Sequence, residues 1–136
     1  MRKSVLIASF KSDINKVWDI VTNNEDFSWR SDLDRIEILN EENFVEYTKD
    51  GFSTSFKITA KEKPHLYKFD MENKNFKGKW IGEFRESEDG VCEITFTEEI
   101  YIKNKVMEIL SYLFMNLKKM QNTYVRDLKV KLGEDV

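Results

Sequence analysis

The sequence predicts an α+β domain in which a curved, seven-stranded antiparallel sheet wraps around one long C-terminal helix. Three observations predict this class. Apolar residues alternate with polar ones from Asp34 to Ile102, as they do in half-buried strands. Short turn-forming segments separate the alternating runs, so hairpin follows hairpin. The final segment, residues 104–131, has the spacing of an amphipathic helix.

Length and charge indicate a single domain that does not bind nucleic acid. The 136 residues suffice for one full hydrophobic core, so we expect one domain over residues 1–136. The chain has 25 acidic and 22 basic residues, a formal charge of −3, scattered along its length. Since no basic field is present to neutralise phosphates, nucleic acid is not an expected partner.

Cysteine and hydropathy patterns predict a soluble cytoplasmic protein. Cys92 is the only cysteine, which excludes an internal disulfide and any Cys-x-x-Cys site and fits a reducing compartment. The apolar run after Met1-Arg2-Lys3 is too short for a secretory leader. No stretch approaches the roughly 20 apolar residues that a membrane span needs.

The N-terminal third begins with a strand and then turns helical. Residues 3–10 are rich in β-favouring apolar types, and Ser12 then offers a helix cap. Residues 13–22 have one apolar face at helical spacing. Residues 24–31, with the large apolar Phe27 and Trp29, predict a second short helix or an ordered turn. Strand one is therefore followed by two short helices.

The strands that follow have one inward-facing series, and the last segment has one apolar stripe. We expect the strand series to comprise Ile36, Ile38, Val45, Tyr47, Phe52, Thr54, Phe56, Ile58, Ala60, Tyr67, Phe69, Met71, Phe76, Trp80, Phe84, Cys92, Ile94 and Phe96. The stripe of the final helix comprises Val106, Ile109, Leu110, Leu113, Leu117, Met120, Tyr124 and Leu128, with Phe114 at its margin. Such a helix spans about 40 Å and can cross the whole concave face of the sheet.

Three local segments and the order of elements carry a resemblance to a known superfamily. The segments are Val17-Trp18-Asp19-Ile20-Val21, Phe27-Ser28-Trp29-Arg30 and Ile36-Glu37-Ile38-Leu39. Over nearly its whole length the chain resembles the helix-grip fold of the START-like, or Bet v 1-like (SRPBCC), superfamily, which includes polyketide cyclase and dehydrase-like proteins. A fatty-acid-binding-protein barrel also has two early helices but no terminal helix, and a lipocalin lacks the early helical pair.

This fold implies a cavity, because a bent sheet and a straight helix separate towards one end of the groove. For any one phenylalanine of the groove, plain core packing is the more common role, whereas for Trp80 core and ligand contact are about equally expected. We expect the cavity to bind a small hydrophobic ligand without a cofactor or metal ion. The predicted ligand-binding residues are Trp29, Tyr47, Thr54, Phe56, Phe69, Trp80, Phe96, Glu98, Leu110, Phe114 and Leu117.

Few residues suggest catalysis. His65, the sole histidine, follows Lys63-Pro64 at a strand connection, where a solvated turn residue is expected. One histidine also gives little support for a zinc site. Cys92 is expected to be a small core residue.

Glu98 is the one candidate catalytic acid or base. Continued alternation after Ile94 and Phe96 aims it at the groove, where burial would raise its pKa. A β-bulge at Glu98-Glu99 would turn it outward, and the sequence alone favours this solvated orientation. Single hydrogen bonds to a ligand from Thr54, Tyr47, Tyr101 or Tyr124 are further candidates, and Arg30 is a candidate partner for an acidic head group.

Three functions remain open from the sequence. The leading hypothesis is a non-catalytic binder or carrier of a lipid, polyketide or isoprenoid-like molecule. The second is an enzyme of the polyketide cyclase or dehydrase type, and the third is a protein-interaction module of the co-chaperone or regulator kind. The oligomeric state, monomer or homodimer, is open as well.

Overall fold

The computed structural model describes residues 1–135, except the side chains of Leu113 and Phe114, and places seven strands and three helices in that part of the chain. None of these helices is long and apolar enough to cross a membrane. The strands are β1 (Arg2–Phe10), β2 (Leu33–Ile38), β3 (Asn43–Thr48), β4 (Ser53–Glu62), β5 (Leu66–Glu72), β6 (Phe76–Glu86) and β7 (Cys92–Ile102). The helices are α1 (Ile14–Thr22), α2 (Lys105–Phe114) and α3 (Leu117–Lys131).

All seven strands form one antiparallel sheet in the order β1-β7-β6-β5-β4-β3-β2. Strands β2 to β7 form a continuous meander, in which each strand pairs with the next along the chain. Strand β1 pairs with β7 from Arg2↔Ile100 to Phe10↔Cys92, so the first and last strands lie side by side. The predicted α+β class, a curved antiparallel sheet with a long helix at the C-terminal end, is confirmed.

Helix α1 buries one face against the sheet. Its N-cap is Asp13, whose carboxylate accepts a hydrogen bond from the Asn15 backbone N–H at 2.8 Å. The sequence had suggested Ser12 as the cap, but the Ser12 hydroxyl instead donates to Glu134. The Trp18 ring meets the Phe84 ring edge-on at 5.0 Å, which fixes α1 over β6.

The segment 24–31 forms turns, so the predicted second short helix after β1 is wrong and the ordered turn that the sequence also allowed is present instead. The Trp29 indole N–H donates to the Asp26 carbonyl at 3.1 Å, within the segment itself. Ser31 then donates to the Asp127 carboxylate of α3 through both its backbone N–H (2.8 Å) and its hydroxyl (2.7 Å). These bonds fasten the turns to the C-terminal helix.

The predicted single helix over residues 104–131 is divided at Met115-Asn116 into α2 and α3. The Asn116 side chain accepts from the Lys119 N–H at 2.9 Å and so begins a new helix. At the end of α2, the Arg2 guanidinium donates to the Ser111 and Met115 carbonyls at 3.1 and 2.6 Å. A cation at this end of a helix satisfies carbonyls that lack helical partners. Only α3 therefore packs along the sheet as predicted.

Helix α3 is held on β1 by a buried polar contact as well as by apolar packing. The Ser4 hydroxyl donates to the Gln121 Oε1 at 2.7 Å, and Gln121 Nε2 donates to the Ser4 carbonyl at 3.0 Å. Leu117, Val125 and Leu128 of α3 belong to the core cluster. This contact fixes the first turns of α3 across one side of the concave face.

Candidate ligand-binding site

A cavity of about 630 Å³ lies between the concave face of the sheet, the turn segment after α1 and the first turns of α3. Its volume is within the range of sites that enclose small organic molecules. Its apolar walls are formed by Val21, Phe44, Phe56, Phe69, Met71, Phe76, Trp80, Phe96 and Met120. The structure thus has an apolar hollow at the position that the fold predicts.

Five aromatic residues form one continuous wall of the cavity, which we name the aromatic wall. Phe44 stacks on Phe56 at 4.9 Å, and Phe69 stacks on Trp80 at 4.9 Å. Phe56 meets Phe69 edge-on at 5.1 Å, and Trp80 meets Phe96 edge-on at 5.8 Å. These rings come from five adjacent strands, β3 to β7, so their positions depend on sheet register rather than on any one loop. Aromatic walls offer large apolar area with little side-chain entropy.

Gly82 makes room for the Trp80 ring in this wall. A β-carbon built at Gly82 would lie 2.8 Å from two carbon atoms of the Trp80 indole. Since real β-carbons do not approach other atoms so closely, any other residue would displace the ring. The absence of a side chain at Gly82 therefore helps to shape the cavity.

An ion-pair cluster closes one side of the cavity. Arg30 makes two hydrogen bonds to the Asp32 carboxylate, at 3.0 and 3.1 Å, and one at 3.5 Å to Glu46 Oε2. Burial opposes the charge of Arg30, but the Glu46 and Asp32 carboxylates outweigh it, so its pKa is raised. Burial also raises the pKa of Glu46, and Arg30 offsets this only in part. The cluster presents a charged edge to an otherwise apolar space.

Glu98 projects into the cavity beside this cluster. It pairs with Trp80 across β6–β7 and with Ser4 across β1–β7, without a register shift, so the alternation from Ile94 and Phe96 continues unbroken. Burial, followed by the Glu46 charge, raises the pKa of Glu98 to about 7, although Arg30 acts in the opposite direction. Among the described residues, no donor hydrogen-bonds its carboxyl group.

Two tyrosines complete the polar side. The Tyr67 hydroxyl is buried without a hydrogen-bond partner among the described residues. Its burial raises the pKa of Tyr67 to about 12, with partial relief from Asn24, whose approach falls short of hydrogen-bond geometry. Burial likewise raises the pKa of Tyr124, and the Arg30 guanidinium lies 4.9 Å from the centre of the Tyr124 ring. Both phenols are neutral donors at physiological pH.

The structure brings six of the eleven predicted ligand-binding residues to the cavity wall. They are Thr54, Phe56, Phe69, Trp80, Phe96 and Glu98. Glu98 faces inward, not outward as the bulge alternative required. Arg30 and Tyr124, considered only as hydrogen-bonding candidates, also line the cavity. The Phe114 side chain lies outside the described part of the chain.

Four predicted ligand-binding residues lie elsewhere. Tyr47 is on the opposite face of β3, where the Arg35 guanidinium stacks 3.8 Å from its ring centre. Leu110 is 40% exposed on α2, because α2 is separate from α3. Leu117 is buried in the core rather than at the cavity surface. The Trp29 ring packs edge-on against the Tyr124 ring at 5.3 Å and lines a separate surface groove instead of the cavity.

The misplaced Tyr47 reflects an error of one residue in the predicted β3 register. Phe44 and Glu46 face the cavity, since Phe44 pairs with Phe56 of β4, whereas Val45 and Tyr47 face outward. A slip of one residue exchanges the two faces of a strand. The predicted inward Phe52 is likewise 53% exposed, because it precedes β4 in the turn.

Sequence reasoning missed Glu46 and did not assign Tyr67 to the site. A glutamate does not stand out as an inward residue in an apolar alternation, and only the pairing of Phe44 with Phe56 indicates which face of β3 Glu46 is on.

The other candidate residues lie away from the cavity. His65 is exposed at a turn, Tyr101 is 46% exposed, and Cys92 is fully buried in the core, where burial raises its pKa to about 11.

The sequence matches no protein family model and no curated protein, but its structure resembles many solved ones. A START superfamily protein from Mycobacterium smegmatis superposes with a TM-score of 0.76 at 10% identity, covering 95% of each chain. Norcoclaurine synthase from Thalictrum flavum gives a TM-score of 0.76 at 10% identity, covering 98% of this chain and 87% of the enzyme.

A third similar structure belongs to a different kind of protein. An HSP90 activator from Plasmodium falciparum gives a TM-score of 0.66 at 14% identity, covering 98% of this chain and 97% of that one. Because identities this low carry information about fold alone, these neighbours do not assign an activity. The chain has the helix-grip fold of the START-like, or Bet v 1-like, superfamily.

Proposed function

We propose that the protein binds a small, mainly apolar molecule that carries one hydrogen-bonding group. The observation that carries this proposal is the cavity of about 630 Å³ with its aromatic wall. Sites of this kind bury most of an apolar ligand and use a few polar groups to orient it. A planar or unsaturated skeleton suits the wall best, since stacked rings favour flat partners.

The polar end of the cavity supports a ligand that both donates and accepts hydrogen bonds. Glu98 and the buried Tyr67 hydroxyl face the same space, and among the described residues both lack protein partners. A buried polar group that a ligand satisfies contributes more to selectivity than to affinity. We therefore expect a hydroxyl or carbonyl group at this end of the ligand.

Binding is tested with a variant that fills the cavity. Thr54→Phe places a ring inside the cavity, whereas Ser55→Phe places the same ring on the outer face of the same strand. We expect Thr54→Phe to weaken binding of the apolar dye Nile red by about tenfold or more, because overfilling excludes the dye. Ser55→Phe, the matched control, is expected to bind as the wild type does.

The experiment has a clear negative outcome. If the wild type neither enhances Nile red fluorescence nor releases a small molecule in native mass spectrometry, the proposal is wrong. Equal dye binding by the two phenylalanine variants would also contradict it, since the dye would then bind outside the cavity. Circular dichroism of each variant establishes that the fold is retained.

One observation favours a second candidate, an enzyme of the polyketide cyclase or dehydrase type. A carboxyl group with a pKa of about 7 exchanges protons readily at neutral pH, as a general acid or base must. The aromatic wall would then hold a reactive chain in one conformation and exclude water. Mass analysis of a bound ligand after incubation distinguishes the two, because a binder returns its ligand unchanged.

A further inference from the structure

Helix α2 turns an apolar face towards solvent. Its Val106, Ile109 and Tyr112 side chains are 65%, 71% and 63% exposed, and Leu110 beside them is 40% exposed. We call these four residues the α2 face. An ordinary surface helix buries its apolar residues and exposes its polar ones. Contiguous exposed apolar residues of this kind mark a surface that contacts something else.

The polar side of α2 is the side that faces the protein. Ser111 is 2% exposed, and its hydroxyl donates to the Glu108 carbonyl at 2.6 Å. Glu108 accepts from the N-terminal ammonium group at 3.1 Å, and Arg2 binds the carbonyls at the end of the helix. Polar contacts therefore hold α2 in place with its apolar side outward, and the exposure is a property of how the helix is anchored.

Lysines flank the α2 face on both sides in the sequence. The segment 103–120 contains four lysines and one glutamate, a formal charge of +3 in a chain whose total is −3. Two of the lysines precede or begin the helix, and two follow it. They are Lys103, which pairs with the Glu72 carboxylate at 2.8 Å, Lys105, Lys118, which donates to the Val5 carbonyl, and Lys119. An apolar face with flanking lysines is the pattern of helices that lie in the interface of an anionic bilayer.

Exposed apolar residues also lie at the mouth of the cavity. Met120 is 53% exposed and also lines the cavity, one turn into α3. On the opposite rim, Phe52 is 53% exposed next to the turn of Lys49 and Asp50, which line the cavity as well. A surface that contacted the α2 face and this rim would meet the opening directly.

We propose that the α2 face docks the protein on an anionic lipid surface, with the cavity mouth towards the lipid. A second copy of the chain fits less well, since a symmetric dimer would bring the lysines that flank one α2 face near those of its partner. Tyr112 suits the boundary between headgroups and acyl chains, where one end of the ring is apolar and the other is wet. The helix lies on the membrane and does not cross it.

The test uses lipid vesicles and needs no knowledge of the ligand. The wild type is sedimented with vesicles of phosphatidylcholine alone and with vesicles of equal parts phosphatidylcholine and phosphatidylglycerol. We expect binding to the mixed vesicles, weakened by added salt, and little binding to phosphatidylcholine. Its result is independent of the Nile red experiment, so either proposal can fail alone.

Two variants and a matched control locate the contact. Ile109→Ser is expected to weaken binding to the mixed vesicles by about tenfold, because it removes a large side chain from the lipid contact. Lys105→Gln is expected to weaken it by about fivefold. Ile7→Ser makes the same change on the outer face of β1, where Ile7 is 60% exposed, and is expected to have no effect.

Three results would overturn the proposal. They are an absence of binding to both kinds of vesicle, equal weakening by Ile7→Ser and Ile109→Ser, and a dimer in analytical ultracentrifugation that Ile109→Ser dissociates. The last would assign the α2 face to a second copy of the chain. Thermal unfolding of each variant checks that the fold is intact.

Discussion

Glu98 keeps a carboxyl group inside an apolar cavity, and its protonation is coupled to folding. Its pKa is about 7 in the folded protein, mainly through burial, against 4.5 for an ordinary glutamate. Because the folded state holds this proton more tightly than the unfolded state, Glu98 favours folding most when protonated. Glu46 shifts in the same direction, so the two carboxylates act together.

Stability is therefore expected to fall as the pH rises from about 4.5 to about 7, by up to about 3 kcal/mol from Glu98. Glu98→Gln, which cannot ionise, should remove most of this dependence and stabilise the protein above pH 7. Urea unfolding at several pH values measures it. Glu99→Gln, on the other face of β7, is the control, and an unchanged pH slope in Glu98→Gln would contradict the expected burial.

The buried hydroxyl group of Tyr67 has no hydrogen-bond partner among the described residues. Tyr67→Phe is therefore expected to keep or increase the free energy of unfolding, by up to about 1 kcal/mol, since it removes an unsatisfied polar group. The same variant should weaken a ligand that bonds to this hydroxyl. A loss of more than about 2 kcal/mol in urea unfolding would mean that the hydroxyl has a structural partner.

At the level of elements, the turn segment after α1 positions Arg30 and depends on one residue of α3. Asp127 is buried and accepts both hydrogen bonds from Ser31, next to Arg30 in the chain. Arg30 in turn contacts Glu46 and the Tyr124 ring. The charged edge of the cavity is thus held by a contact between a turn and a helix that are far apart in sequence.

Asp127→Ala is expected to destabilise the protein by about 2 kcal/mol, because it leaves the Ser31 N–H and hydroxyl without an acceptor. Nile red affinity should fall as well, since the turn that carries Arg30 is released. Urea unfolding and dye titration measure the two effects. Arg126→Ala, an exposed neighbour on α3, is the control. If Asp127→Ala lowers stability but leaves dye affinity unchanged, the Ser31–Asp127 contact is not needed to shape the cavity.

The strands and the meander of β2 to β7 followed from local patterns, whereas two other features of the elements did not. Alternation and turn residues define each hairpin, because both act over a few residues. In β3, however, Phe44 and Val45 offer apolar residues to both faces, so alternation alone does not fix the register. The division between α2 and α3 depends on the cap formed by Asn116, which apolar spacing does not reveal.

The same distinction applies to the site. Four of the five rings of the aromatic wall were expected to face inward because they are apolar and belong to regular strands, whereas Phe44 was not. For Glu98 the favoured solvated orientation was wrong, because the register of β7 has no bulge and the inward alternation continues through Glu98. Glu46 was missed because a charged residue on an inner face contradicts the pattern that defines that face, and only its pairing with Arg30 explains it.

At the level of the whole molecule, Glu134 fastens the end of α3 to the start of α1. Its carboxylate accepts from the Lys11 N–H at 2.7 Å, the Ser12 N–H at 3.2 Å and the Ser12 hydroxyl at 2.8 Å. Together with the pairing of β1 and β7, this contact joins both ends of the described chain in one structure.

Glu134→Ala is expected to reduce the free energy of unfolding by about 2 kcal/mol, because three donors lose a charged acceptor. Asp135→Ala, one residue further on, is the control and should change stability by less than about 0.5 kcal/mol. Urea unfolding at neutral pH compares them. Equal stability of the two variants would show that the junction is not needed.

The pairing of β1 with β7 also has a consequence during synthesis. Strand β1 leaves the ribosome before its partner β7, which lies about ninety residues further along the chain, and α3 emerges later still. Until α3 has been synthesised, it cannot cover the rings of Phe44, Phe56 and Trp80. A nascent chain therefore passes through a stage at which the apolar concave face of its sheet is exposed to solvent. General chaperones are most able to bind the chain at this stage.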